Sequence, residues 1–165
     1  MKKILLLAMV ALLSVSTISC SSDDNSSTNY KSNILGTWID SKIFFLDKNK
    51  KVIGEVNADD NDACGIDERE FKENVVNYTY FYRFIAGSIN ECKTETGTDK
   101  YSIKGNKLII ESEDDGERYI EEAEIIELNA NKFVFLLLEK LDEEDIDGED
   151  FPEGTTYLKF EYVRK

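Results

Sequence analysis

The chain has 165 residues, 20 of them basic and 34 acidic, with no histidine, three cysteines, one proline and a formal net charge of -14. Without histidine there is no Ser-His or Cys-His nucleophile, no imidazole metal ligand and no histidine pH switch. The acid excess opposes binding to a nucleic-acid backbone, which needs a basic footprint, while 41% hydrophobic and 33% charged residues suit a globular domain rather than a disordered acidic tail.

The first segment reads as an address. Lys2 and Lys3 precede an unbroken apolar stretch, Ile4 to Leu13, far shorter than the roughly 20 residues a membrane span needs. A polar run to Ser19 follows, then Cys20. Residues 1–19 are therefore expected to be a cleaved signal peptide. Thr17-Ile18-Ser19-Cys20 resembles a bacterial lipobox, in which the cysteine is lipidated and becomes the new N-terminus. Several acyl chains on Cys20 would anchor stably, since each buried methylene contributes about 0.8 kcal/mol. The membrane is then a partner through those chains. The acid excess keeps the domain soluble and away from anionic lipid. Residues 20–32 are polar and read as a flexible tether. Its Ser22-Asp23-Asp24 resembles the export tag that carries some Gram-negative lipoproteins to the cell surface. The expected location is the outer membrane, with surface exposure as one possibility and mere solubility as the bland reading of the aspartates.

Residues 33–165 read as a single all-β domain. Turn signals recur at short intervals: Asp47-Lys-Asn-Lys, Lys104-Gly-Asn-Lys, Asp114-Asp-Gly and Asn129-Ala-Asn. Between them lie short segments rich in Val, Ile, Tyr and Phe. Asp59-Asp60-Asn61-Asp62 and Asp142 to Asp150 are acidic, oxygen-rich stretches of the type hard cations prefer. Neither matches the twelve-residue calcium loop. With Gly148 as the turn glycine, Gly154 falls where the bidentate glutamate belongs, so solvated loops are expected and no metal site is assigned.

Cys64 and Cys92 remain once lipidation takes Cys20. In an exported chain the expectation is that they pair, with free thiols as the alternative. Asp67 to Asn74 has room for a helical turn or two, as does the segment near Asp142. Val75 to Ala86 alternates with period two. One face carries Val76, Tyr78, Tyr80, Tyr82, Phe84 and Ala86, and the other mixes Asn77, Thr79 and Arg83 with Val75, Phe81 and Ile85. The Tyr78, Tyr80, Tyr82, Phe84 row is either core or the wall of a ligand cavity. Tyr101 to Ile110 reads as a hairpin turning at Gly105-Asn106. Phe133 to Leu138 is apolar on both faces, so it is either covered by a neighbouring segment or exposed to a partner. In Thr155 to Arg164, Leu158, Phe160 and Tyr162 share one face and Lys159 and Glu161 the other. With no helix long enough to cross between parallel strands, antiparallel meander connections are the default.

Several motifs, in order, resemble the lipocalin-like domain of small bacterial lipoproteins. Asn33-Ile34-Leu35-Gly36-Thr37-Trp38 is similar to the opening Gly-x-Trp of lipocalins. Cys64-Gly65-Ile66-Asp67 with Phe71, and later Cys92, is similar to the segment entering the next strand. Tyr101 to Ile110 resembles the family's hairpin, and Thr98-Asp99-Lys100-Tyr101 loosely echoes a central element. The resemblance implies an antiparallel up-and-down β-barrel of about eight strands, with Trp38 and Arg164 together closing one end. It also implies a non-enzymatic binder of a small apolar or amphipathic ligand, with no cofactor. A filled barrel that contacts another envelope protein is the alternative. Carboxylate-pair catalysis has no marked pair among so many acids, so no catalytic residue is assigned.

Overall fold

The computed structural model describes residues 30–141 and 151–165. The leader, Cys20, most of the tether and the acidic segment 142–150 lie outside the described residues. The strands are β1 Gly36–Leu46, β2 Val52–Asn57, β3 Glu68–Phe71, β4 Val75–Ala86, β5 Ile89–Lys104, β6 Lys107–Asp114, β7 Glu117–Leu128, β8 Lys132–Leu137 and β9 Tyr157–Arg164. Every pairing is antiparallel. β9 returns to β1, from Trp38 opposite Arg164 to Leu46 opposite Tyr157. This closes a ring of eight strands, β1-β3-β4-β5-β6-β7-β8-β9, and leaves β2 as a ninth strand on the upper half of β1. Closure removes the edges that would otherwise template aggregation.

Local chemistry explains the turns. Asp115 and Gly116 both take positive φ, 50° and 82°, as a two-residue type I′ turn requires. Asp47 Oδ1 accepts the backbone N–H groups of Asn49 and Lys51, folding the β1–β2 turn onto itself.

The base of the barrel is packed solid. Trp38, Phe133 and Val76 are fully buried, in one cluster with Ile34, Phe71, Tyr78, Tyr101, Ile103, Leu108, Ile110, Ala123, Ile125, Phe135 and Tyr162. These residues fall at alternate positions of their strands, as an inward face requires. Phe133 is the hub, with ring centroids 5.6 Å from Trp38, 5.9 Å from Phe71, 5.2 Å from Phe135 and 5.8 Å from Tyr162. Such pairs add roughly 0.5–1.5 kcal/mol each beyond area burial. The lid on this end is built from the N-terminal approach. Residues 30–33 form one helical turn, and Tyr30 packs against the core. The indole Nε1 of Trp38 donates to Ile34 O at 2.7 Å, and the Arg164 guanidinium lies 3.9 Å over the Trp38 ring. Arg164 donates to the carbonyls of Leu35, Asn33 and Ala130, tying both chain ends and the β7–β8 turn together. The last residues of the expected tether thus belong to the folded domain.

Two expectations change. Asp67 to Asn74 holds no helical turn. Glu68–Phe71 is a strand between β1 and β4, pairing Trp38 with Arg69 and Arg69 with Tyr78. A short polar segment takes its conformation from the two edges that need it, and this overrides local propensity. The apolar stretch at Phe133 is covered on both faces. Phe133 and Phe135 point into the barrel, while Val134 and Leu136 are buried outside, Leu136 in a second cluster with Leu46, Tyr157 and Phe44.

Pairing is uneven above the base. β4 and β5 stay paired up to Ala86 and Ile89, and β6 and β7 up to Asp114 and Glu117. β5 and β6, however, part company beyond Lys100 and Glu111. The two hairpins therefore splay, and the wall is open between them. On the other side, β2 ends opposite Lys42 and β3 begins opposite Ile39, so the loop 58–67 fills the wall between them.

Candidate functional site

The ring that starts at Trp38 continues inward-facing to Arg69 and then to Tyr78. Arg69 sits over two phenol rings, 5.2 Å from the centroids of Tyr78 and Tyr162. Burial opposes its charge, but Tyr162, Asp40, Tyr78 and Tyr80 together outweigh that and hold the guanidinium protonated, above its ordinary value. Asp40 lies two residues beyond Trp38 on the same inward face, opposite Tyr162. Burial pushes its carboxyl up to about 6, against the pull of Arg69 and with a push from Asp67. Glu121 on β7 is raised for the same reason, burial first. The barrel thus changes character at one level: apolar below, a ring of ionisable side chains above.

Two buried side-chain atoms at this level have no hydrogen-bond partner among the described residues, Asp40 Oδ1 and the Tyr162 hydroxyl. Both residues line one cavity of about 200 Å³ between the β1/β9 wall and the loop 58–67. Its other walls are Lys42, Ile43, Ala58, Asp59, Asn61, Asp67, Phe160 and Glu161. Unpaired buried polar groups cost about 1–3 kcal/mol each, so the space beside them suits a hydrogen-bonding occupant, water included.

The loop that bounds this cavity is rigidly specified. Cys64 and Cys92 are joined, with Cα atoms 5.2 Å apart, clamping it to the β4–β5 hairpin. Asn61 donates to Gly65 O and to Asp67 Oδ1, and Asp67 Oδ1 also accepts the Phe81 N–H at 2.9 Å. Asp40 N–H donates to Asp67 O, and Ala58 N–H to Ser41 O. Asn61, Asp62 and Ala63 all take positive φ, between 51° and 63°. Gly65 is required: a Cβ there would come within 2.9 Å of the Phe81 ring, at φ +137°. The acidic stretch Asp59 to Asp62 is spent on this loop, where Asp59 and Asp60 cap the backbone N–H groups of Asn61 and Ala63. Among the described residues no group of three metal-type ligands forms. The other acidic stretch, Asp142 to Asp150, lies outside the described residues.

The tyrosine row divides at the same level. Tyr78 is buried at 7% exposure, whereas Tyr80 and Tyr82 are exposed at 43% and 39%. Tyr78 and Tyr80 stack with centroids 6.0 Å apart. Phe84 lies under the Lys93 ammonium at 3.9 Å. Tyr78 thus belongs to the core, and Tyr80, Tyr82 and Phe84 run up the inner wall of the open half. They do not line the cavity beneath the loop. Across the mouth, Glu121 and Tyr119 follow the inward-facing Ala123 on β7.

The residues that define this level, Asp40, Arg69, Glu121 and Tyr162, are not among those the sequence singled out as a site. The signal for Asp40 was its spacing of two from Trp38. For Arg69 it was the same spacing from Phe71, hidden while that segment read as helical.

A closed meander with a packed base and an open mouth defines a small up-and-down β-barrel, of the size whose interior is filled by side chains or holds one small ligand. The sequence profile of the lipocalin-like domain matches residues 34–135, and the chain belongs to that family. No curated protein matches it. Among solved structures, lobster apocrustacyanin A1 is similar at 14% identity and a TM-score of 0.42, over 84% of this chain and 64% of that one. The chain therefore spans somewhat under two thirds of that protein's length.

Proposed function

We propose that this protein is an exported, lipid-anchored lipocalin-like carrier that holds a small amphipathic ligand in the upper half of its barrel, without catalysis. The observation that carries the reading is the break at the Asp40–Arg69 level. Below it the interior is filled by aromatic side chains. Above it Tyr80 and Tyr82 present large apolar faces and hydroxyls to open space, beside buried oxygens that lack partners. Apolar walls with a few convergent polar groups are what a small-molecule site needs. The anchor is Cys20, and the signal segment and the polar linker support it.

The site is tested with Nile red, a neutral apolar dye. Full-length protein in detergent is expected to bind one dye per chain, and Tyr80→Ala with Tyr82→Ala to weaken it at least tenfold. Saturation unchanged by both substitutions would overturn the reading. The anchor is tested by metabolic labelling with a fatty acid: Cys20→Ser is expected to lose the label and leave the membrane fraction.

One observation favours a second reading, contact with an envelope protein. Ile85 and Ile89 at the β4–β5 tip and Tyr119 and Ile120 near the β6–β7 tip are exposed by half or more. Replacing Ile85 and Ile120 with serine should leave dye binding intact and abolish cross-linking to any partner in the membrane.

A further inference from the structure

We propose that the cavity between the disulfide-clamped loop and the β1/β9 wall is a subsite for a small primary ammonium group carrying a short apolar body. The proposal rests on the ligand-holding reading above and names the chemistry of one end of the ligand.

Polar groups around the cavity are mostly spoken for. Asp59 accepts Asn61 N–H, and Asp67 accepts Asn61 Nδ2 and Phe81 N–H. Glu161 pairs with Lys132 at 2.7 Å, and Lys42 pairs with Glu55 at 2.7 Å. Of the fully buried side-chain atoms among the described residues, those left without a partner are Asp40 Oδ1, an acceptor, and the hydroxyl of Tyr162, a residue only 1% exposed. A guest must bring N–H or O–H donors to Asp40 and a group able to meet a phenol. With Glu161 and Lys42 taken up by those pairs, the lining keeps Asp40, Asp59 and Asp67, three carboxyls against the Arg69 guanidinium that stands beside Asp40 and over the Tyr162 ring. That balance repels a carboxylate or phosphate and attracts a cation. An ammonium, with three donors and no acceptor, complements it. A metal ion does not fit, because no three metal-type ligands converge among the described residues.

Size and shape narrow the guest. Roughly seven waters would fill about 200 Å³, below the 300–1,000 Å³ of ordinary ligand sites. Ile43, Phe160 and Ala58 supply an apolar side for a ring or short chain. The groups facing Asp40 are Arg69 from β3, Asp67 from the loop, Tyr80 from β4 and Tyr162 from β9, with Glu121 of β7 beyond. Arg69 is directed over the phenol rings and does not pair with Asp40 within ion-pair distance, so it leaves the carboxylate oxygen free. Because burial lifts the Asp40 carboxyl to about 6, the carboxylate that meets an ammonium is present at pH 8 and mostly lost at pH 5.

The test uses full-length protein in detergent and three probes of one shape, benzylamine, benzyl alcohol and benzoate, followed by calorimetry. Benzylamine is expected to bind one per chain at pH 8, at least tenfold tighter than the other two. Asp40→Asn is expected to weaken it tenfold or more, Tyr162→Phe several-fold, and a change to pH 5 about tenfold. The Tyr162→Phe chain keeps the ring stack, and the melting temperature of each variant reports that it is folded. Equal binding of benzyl alcohol and benzylamine, or benzylamine binding unchanged in Asp40→Asn, overturns the ammonium assignment. Failure of benzylamine with Nile red still binding overturns this inference alone. Failure of both overturns the carrier reading too.

Discussion

The two halves of this barrel use the same alternation of inward and outward residues for opposite ends. In the base, the inward positions include Trp38, Phe71, Phe133 and Phe135, the other three all packed against Phe133 and each of the four buried at 2% exposure or less. Two residues on from Trp38, Phe71 and the core residue Ala123 the inward positions become Asp40, Arg69 and Glu121, and two and four residues on from Tyr78 they become Tyr80 and Tyr82. The first three are ionisable and the two tyrosines remain about 40% exposed. One half gains stability from burial. The other holds charges in a partly dry space, where desolvation raises Asp40 and Glu121 and leaves acceptors without donors. On the proposed reading, stability and binding occupy separate levels of one fold, a separation that tends to accompany sites kept below their stability optimum.

That division can be broken from below most dramatically. Trp38→Ala removes the fully buried indole, its hydrogen bond to Ile34 O and the platform under Arg164. It is expected to cost about 3–5 kcal/mol in denaturant unfolding, and the N-terminal turn should fray with it. Next comes the clamp. Cys64→Ser with Cys92→Ser opens a loop of sequence separation 28. In the chain-entropy model this loses roughly 3.5 kcal/mol, measurable as a fall in melting temperature that reducing agent reproduces in the native chain. A cost below about 1 kcal/mol would show the loop held by its hydrogen bonds instead.

Asp40→Asn runs the other way. The folded carboxyl, near 6, lies above its ordinary 3.8, so the native state binds the proton more tightly than the unfolded chain. Stability associated with Asp40 is therefore greatest below about pH 4 and declines as pH rises to about 6. Above that window the asparagine variant is expected to be more stable, by roughly 1–2 kcal/mol after solvent screening. Near pH 4 the gain should vanish. A melting temperature that falls at pH 8 in this variant would contradict a desolvated carboxylate. The smallest structural effect belongs to Tyr82→Ala on the open wall, where less than about 0.5 kcal/mol is expected in unfolding, with dye binding nonetheless impaired.

The base was legible in the sequence because its signals are local. The Tyr101 to Ile110 hairpin and the strand ending at Arg164 carry their own turn chemistry and alternation, and Gly36-Thr37-Trp38 is legible through its resemblance to the lipocalin opening. The cysteine pair followed from compartment and count. The polar level was not legible, because it is made by register. Asp40 and Arg69 look like any surface acid and base until β1 is set against β3 and β9. A bulge between Asp40 and Lys42 then shifts which of the following residues turn inward. Glu68–Phe71 shows the same limit, since three charged residues and one phenylalanine become a wall strand only because β1 and β4 leave them no other place.

Native mass spectrometry of the full-length protein, extracted in mild detergent from the cell that makes it, tests the division of the barrel most directly. The account predicts one small molecule retained per chain, released on unfolding, and lost from a chain carrying both Tyr80→Ala and Tyr82→Ala. A wild-type chain that flies bare, or equal occupancy in wild type and double variant, would contradict it.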